Sequence, residues 1–156
     1  MKNNILLSTL IASTFFISAQ ADAAQATGTA NFNLVYPISV TETAVMEFGD
    51  VSILADGNCS IGYADDTSGT ACVAGGNAAV SGEFTIAADN TTVNIALSAA
   101  DSASVPGVTF TPSVSSNTLT VTGNSAVLKV GGSLDIVAAN ATAGAKNLTY
   151  TVDVTY

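Results

Sequence analysis

The 156-residue sequence contains no histidine, no tryptophan and no arginine, and only three lysines stand against twelve acidic residues. The absence of histidine removes the usual general base and the commonest metal ligand, and the absence of arginine removes the bidentate phosphate clamp. A formal net charge of −9 leaves no basic surface, whereas nucleic acids and anionic membranes both require clustered cations. We therefore expect no cofactor, no nucleic-acid partner and no enzymatic activity.

The N-terminus has the pattern of a secretory signal. Residues 1–23 begin with a positive charge, continue with the apolar stretch Ile5–Ile17 and end in the small-residue site Ala21–Ala23, with Ala19–Ala21 as an alternative. The apolar stretch is shorter than the roughly 20 residues that a spanning helix needs. We expect residues 24–156 to be one secreted domain, in the periplasm or at the extracellular surface, and not bound to the membrane after cleavage.

The composition of residues 24–156 favours strands. Valine and threonine number 34 there, whereas leucine, glutamate, lysine and arginine together number 12. Branched side chains suit pleated sheets, and the second group suits helices. Short apolar runs separated by Gly, Pro, Asn and Ser are typical of a sandwich or a barrel. The sequence therefore predicts an all-β domain.

Two segments alternate most regularly between apolar and polar residues, which predicts strands at both ends of the domain. Pro37 lies between apolar positions of the first segment, so we expect an edge strand or a break there. The apolar faces are Ala30, Phe32, Leu34, Tyr36, Ile38 and Val40 in the first segment, and Leu148, Tyr150, Val152, Val154 and Tyr156 in the last.

Between these segments we expect a second strand over Ala44–Leu54 with a bulge at Gly49–Asp50, and then the longest loop, residues 55–77. A hairpin is predicted from Val80–Ile86 and Val93–Leu97. Further short strands are predicted at Val108 with Phe110, Leu119 with Val121, Val127–Val130, and Leu134 with Ile136.

The only two cysteines, Cys59 and Cys72, lie 13 residues apart in the predicted loop. A secreted chain meets an oxidising compartment, so we expect a disulfide. A redox-active pair would need a nearby cation to stabilise a thiolate, and no lysine is close in the sequence. The disulfide is therefore interpreted as structural.

Oxygen ligands for calcium are also present in this loop, at Asp56, Asn58, Asp65 and Asp66. Their spacing matches no calcium loop that we can name. A solvated acidic loop is the favoured interpretation, and calcium binding stays open as an alternative.

Other reactive groups have simple interpretations. A glycosidase needs two carboxylates beside a sugar cleft, but no tryptophan is present to bind a sugar ring. Lys129 and Lys146 are interpreted as charges at strand edges rather than as bases or isopeptide donors. The carboxylates considered for catalysis are Glu42, Glu47, Asp50, Glu83 and Asp153.

Two distant stretches resemble a bacterial secreted β-domain family of undefined function. The first runs Ala26-Thr-Gly-Thr-Ala-Asn-Phe-Asn-Leu-Val-Tyr-Pro-Ile-Ser-Val-Thr-Glu-Thr, followed by Val45-Met-Glu-Phe-Gly. The second comprises Leu128-Lys-Val-Gly-Gly-Ser-Leu, Gly144 and the terminal Leu-Thr-Tyr-Thr-Val-Asp-Val-Thr-Tyr. That family is similar to fimbrial (pilin-like) and spore-coat-type subunits, in which a glycine precedes a penultimate tyrosine by twelve positions. Gly144 precedes Tyr156 by the same twelve positions, although Tyr156 is the last residue of the sequence and not the penultimate one.

The resemblance implies an immunoglobulin-like or pilin-like antiparallel β-sandwich. It also implies a structural subunit or adhesive component of a surface fimbria or extracellular matrix. An extended segment with alternating apolar side chains at a free N-terminus suits strand addition to another sheet. The expected partners are further copies, other fimbrial subunits or a periplasmic chaperone. The alternative is a monomeric secreted binding module that keeps this strand in its own sheet.

Overall fold

The computed structural model describes residues 24–98 and 102–156, and every pair of strands in these ranges is antiparallel. The only helical element there is a 3₁₀ turn at Ser102–Ser104, and no helix in these ranges is long and apolar enough to cross a membrane. The prediction of an all-β antiparallel domain is confirmed. The signal sequence predicted at residues 1–23 lies outside the described residues.

The chain divides into two units, Met1–Asn33 and Leu34–Tyr156. In the first unit, residues 24–33 form no regular secondary structure and are exposed. The second unit holds all the strands described here. In chain order these are β1 (Ser39–Ala44), β2 (Gly57–Ile61), β3 (Thr67–Ser68), β4 (Gly82–Ala87), β5 (Thr92–Ser98), β6 (Val108–Val114), β7 (Thr118–Thr120), β8 (Ser125–Ile136) and β9 (Thr151–Thr155).

The strands form two sheets. The larger has the order β1-β4-β8-β2-β3, with β6 also paired to β8, and the smaller has the order β7-β5-β9. The long strand β8 pairs with β4 through its first half and with β2 and β6 through its second half. Gly132 lies in the second half, where an added Cβ would lie 2.6 Å from the ring of Phe110. This glycine lets the ring pack directly on the backbone of β8.

The main core lies between the two sheets. Strand β5 alternates strictly at its start, with Val93 and Ile95 buried and their neighbours exposed, as expected for a strand that has one face in a core. Each such side chain contributes about 1.5–3 kcal/mol when it is fully buried. The buried members of this core are Ile86, Ala88, Val93, Ile95, Val121, Leu128 and Val130.

A second, smaller core surrounds the disulfide and contains Cys59, Ala71 and Ile136. Edge-to-face aromatic contacts join it to the main core. The ring of Phe110 lies 5.8 Å from Phe48, which packs on the second core, and 5.8 Å from Tyr150, which packs on the main core. Such pairs are worth about 0.5–1.5 kcal/mol beyond the area they bury.

The first predicted strand is shorter than expected. Residues 30–38 form no strand, and β1 begins only at Ser39, two positions after Pro37. Proline has no N–H to donate to a ladder, so the expected break is at this position. The last strand is also shorter than predicted, because Leu148 and Tyr150 precede β9.

The strand predicted over Ala44–Leu54 is wrong. Ala44 is the last residue of β1, and beyond it only isolated bridges occur, from Glu47 to Val80 and from Val51 to Cys72. No bulge occurs at Gly49–Asp50, because these residues belong to no strand; Gly49 has a φ of +72°. The register shift lies earlier, between Glu42 and Ala44.

The region predicted as one long loop, residues 55–77, contains β2 and β3. The apolar alternation in β2 is carried only by Cys59 and Ile61, which are buried, so the polar composition concealed the strand. The two short runs predicted at Val127–Val130 and Leu134–Ile136 are one strand, β8, because the chain stays extended through two glycines.

The predicted hairpin is also wrong. Strands β4 and β5 coincide closely with the two runs, but they belong to different sheets. The connection Ala88–Thr91 crosses from one sheet to the other. Alternation shows which face of a strand is buried, and it does not show with which neighbour the strand pairs.

Cys59 and Cys72 form a disulfide, as predicted. Their separation of 13 residues closes a loop for which chain entropy predicts about 3 kcal/mol of stabilisation. We expect the double variant Cys59→Ala/Cys72→Ala to lose about this free energy of unfolding in urea denaturation. Ser60→Ala, on the opposite face of β2, is the matched control and should change stability by less than about 1 kcal/mol. Equal effects of the two variants would contradict this role.

Candidate functional site

Strand β9 has a free edge. It pairs through Thr151–Thr155 with β5, at Ser98 to Asn94, and within the described residues no strand pairs with its other edge. An open edge presents a row of unpaired N–H and C=O groups, which is a template for another strand. Chemically, the edge of β9 can therefore accept an extended segment.

The two ends of β9 fix its position relative to β1. Near its start, the hydroxyl of Tyr150 lies over Gly82, where an added Cβ would lie 2.5 Å from it. Just beyond its end, the hydroxyl of Tyr156 donates to the carbonyl oxygen of Tyr36. Because β1 starts near Tyr36 and ends opposite Glu83, the two strands run in opposite directions across facing sheets.

The inner face of β1 is uncovered beside β9. Val40 pairs across the sheet with Ile86, and directly paired residues share a face. Ile86 is fully buried, yet Val40 keeps 37% of its surface exposed. Glu42, which pairs with Phe84 on the same face, is also exposed. We call the inner face of Val40 and Glu42, together with the unpaired edge of Thr151–Thr155, the open seam.

Tyr150 lies at one end of the open seam. Its ring contacts Phe84 and Phe110 edge to face, while its hydroxyl is buried without a hydrogen-bond partner. Burial, and then the charge of Glu42, raises the pKa of Tyr150 to about 12. The neutral phenol is therefore the form that the folded protein favours.

The chain also carries an uncharged segment in which apolar side chains alternate with polar ones. We call residues 24–35 the arm; they form no strand and contain no charged side chain. Phe32 and Leu34 are the most exposed large side chains on its alternating face, at 80% and 85%. Apolar side chains exposed in this pattern are typical of a segment that pairs with a partner.

The apolar face predicted for the first segment lies partly in the arm and partly in the domain. Ala30, Phe32 and Leu34 are exposed in the arm, whereas Ile38 packs against the main core and Val40 belongs to β1. Tyr36 lies at the boundary.

The predicted C-terminal face is divided in the same way. Val152 and Val154 pack on the main core from β9, and so does Tyr150 just before it. Leu148 is half-buried outside any strand. Tyr156 is exposed, and its hydroxyl bonds Tyr36.

The acidic loop residues hold the fold together through hydrogen bonds. Asp56 accepts from the N–H of Ala138 at 2.8 Å. Asp65 accepts from the N–H and the hydroxyl of buried Ser81, and these bonds lower the pKa of Asp65. Among the described residues, no three carboxylate or cysteine side chains are grouped so that they could hold a metal ion.

Lys129 and two of the carboxylates considered for catalysis, Glu83 and Asp50, form ion pairs or hydrogen bonds elsewhere in the fold. Lys129 forms an ion pair with Glu83 at 2.9 Å, which lowers the pKa of Glu83 and raises the pKa of Lys129. It lies on the central strand β8, so its interpretation as an edge charge is wrong. Asp50 accepts from the backbone and side-chain amides of Asn77.

The sequence did not reveal the open seam. Nothing in the alternation of Val152 and Val154 distinguishes an edge strand from a central one. The one available signal was Glu42, a charge at an apolar position of an alternating segment, because such a charge is tolerated only where the inner face stays hydrated.

No family model, no curated protein and no solved structure matches this chain. The similarity to fimbrial subunits therefore stays a prediction.

The hydroxyl of Tyr150 leads to a prediction at high pH. The contribution of the neutral phenol is fully present below pH 10, the ordinary pKa, and is lost as the pH rises towards about 12. In a titration followed by phenolate absorbance, Tyr150 should therefore ionise in a late step near pH 12. Tyr150→Phe should remove this late step, whereas the control Tyr63→Phe should keep it. A late step that persists in Tyr150→Phe would refute the assignment.

Proposed function

We propose that this protein is a structural subunit, or an adhesive component, of a bacterial surface fimbria or extracellular matrix. Its copies join when the arm of one copy adds as a strand to the open seam of the next. The observation that carries the proposal is that one chain contains both an exposed, unpaired apolar segment and an unpaired strand edge.

The lengths of the two parts are compatible. The five residues of β9 extend over about 17 Å, and the twelve residues of the arm extend over about 40 Å, at roughly 3.3 Å per residue. The arm can therefore cover the whole edge and still leave residues to connect two domains. A chain of such links has no closing step, which suits a fibre.

The side chains are complementary as well. In strand addition the backbone supplies the hydrogen bonds, and alternate side chains enter pockets along the seam. Phe32 and Leu34 would bury against Val40 and the neighbouring core. Each gains about 1.5–3 kcal/mol on full burial.

Charge favours the arm as the occupant. The chain has a net charge of −9, Glu42 lies in the seam, and Asp153 is an exposed residue of β9. The arm contains no charged side chain, so it can approach without the repulsion that an acidic segment would meet. Mutual repulsion between the acidic domains also keeps subunits soluble before they join.

The disulfide and the expected partners agree with an exported structural subunit. The disulfide is compatible with export to the periplasm or beyond. Other fimbrial subunits with a similar arm are further expected partners, and so is a periplasmic chaperone that covers the same edge before assembly.

Removal of residues 24–35 tests the proposal. We expect the intact mature chain to form a ladder of oligomers in size-exclusion chromatography with light scattering, and the shortened chain to be monomeric. If the intact chain is a monomer at all concentrations, the alternative of a monomeric binding module with the arm in its own sheet is favoured instead.

Matched aspartate variants locate the two surfaces. Leu34→Asp places a charge on the apolar face of the arm, and Asn33→Asp places it on the opposite face. We expect the first to lower the oligomer association constant at least tenfold, about 1.4 kcal/mol, and the second to change it little. In the seam, Val40→Asp and Thr41→Asp form the corresponding pair. Equal effects within either pair would indicate general repulsion and contradict strand addition.

A further inference from the structure

Three residues from distant parts of the sequence meet where the arm joins the domain. The N–H of Tyr36 donates to the carboxylate of Asp89 at 3.3 Å, and the carbonyl oxygen of Tyr36 accepts from the hydroxyl of Tyr156. The same hydroxyl accepts from the N–H of Asp89 at 3.1 Å. We call this arrangement of Tyr36, Asp89 and Tyr156 the clasp.

The clasp is built on an ordered turn. The N–H of Thr91 donates to the carbonyl oxygen of Asp89 at 2.7 Å. Asn124 donates two hydrogen bonds to the same turn. Its backbone N–H donates to the side-chain oxygen of Asn90 at 2.8 Å, and its side-chain amide donates to the carbonyl oxygen of Ala88 at 3.2 Å. Asp89 therefore presents its carboxylate from a fixed backbone.

Both polar backbone groups of Tyr36 are thus bonded although Tyr36 lies outside any strand. The geometry points to the clasp as a device that fixes the root of the arm and keeps the arm off its own seam, so that the seam stays open for a second copy of this chain. This inference rests on the proposed function, and it identifies the residues that decide between the two possible occupants.

Chain direction explains why the clasp disfavours the chain's own arm. The arm leads directly into Tyr36, which is bonded to Tyr156 just beyond the C-terminal end of β9, so pairing of the arm with its own seam would be parallel to β9. Paired strands lie about 4.8 Å apart, whereas in the clasp the whole side chain of Tyr156 separates the two backbones. The N–H of Tyr36 is also already bonded to Asp89, so Tyr36 cannot donate it to a ladder with β9 unless the clasp opens.

The direction of pairing adds a second restriction, because the chain must reverse between the arm and β1 if the arm lies along its own β9. Parallel pairing is also slightly less stable per residue than antiparallel pairing. An arm that arrives from another copy meets neither restriction, because no clasp ties it to the accepting domain.

Tyr156→Phe tests the clasp, since it removes the hydroxyl and keeps the ring. The matched control is Tyr63→Phe, which removes a hydroxyl bonded to Ser113 at 3.4 Å, far from the arm in sequence. In the intact mature chain we expect Tyr156→Phe to reduce the oligomer fraction several-fold. In its monomer fraction, hydrogen exchange should slow at least fivefold at those amides of β9 that are not bonded to β5. Asp89→Ala, which frees the N–H of Tyr36, should act in the same direction.

The outcomes separate the two proposals. If the parent chain never oligomerises but Tyr156→Phe protects β9, the clasp is supported and strand donation between copies is wrong. If Tyr156→Phe and Asp89→Ala match the parent chain in both oligomer fraction and exchange, or increase the oligomer fraction, the clasp proposal is overturned. In that case strand donation between copies is tested separately, by the deletion of residues 24–35.

Discussion

The backbone of β9 needs hydrogen-bond partners on two edges, and the described chain supplies them on one. The rest of the site depends on this imbalance. Val40 and Glu42 face inward yet stay exposed because no strand covers them. An unpaired edge that faces apolar side chains is a liability for a soluble domain unless a specific strand completes it. The arm has the length, the alternation and the lack of charge to be that strand.

The sandwich is stabilised away from the seam. The disulfide, the second core and the Asp65–Ser81 bonds hold the segment that carries β2 and β3. That segment is poor in large apolar side chains, so the disulfide and the hydrogen bonds stabilise it where a larger apolar core is missing. The clasp supplies comparable fixation at the root of the arm, where polar groups of Tyr36 would otherwise face water.

The sequence predicts much of the local structure and little of the pairing. Alternation located β4, β5 and β6 well, because Ile86, Val93 and Phe110 are buried on one face. It failed for β2, where a cysteine takes the place of a large apolar residue, and for residues 30–38, where the pattern exists but no partner strand does. The seam depends on which strands become neighbours, a long-range property that no local pattern contains.

The most direct test of strand donation uses a synthetic peptide of residues 24–35 and the chain that lacks them. Hydrogen exchange of the shortened chain, with and without the peptide, measures directly whether the backbone amides of the seam become protected. The account predicts that the peptide protects the amides of β9 that are not bonded to β5, and leaves β7, at the far edge of the same sheet, unchanged. Absence of protection at β9, or equal protection at β7, would contradict it.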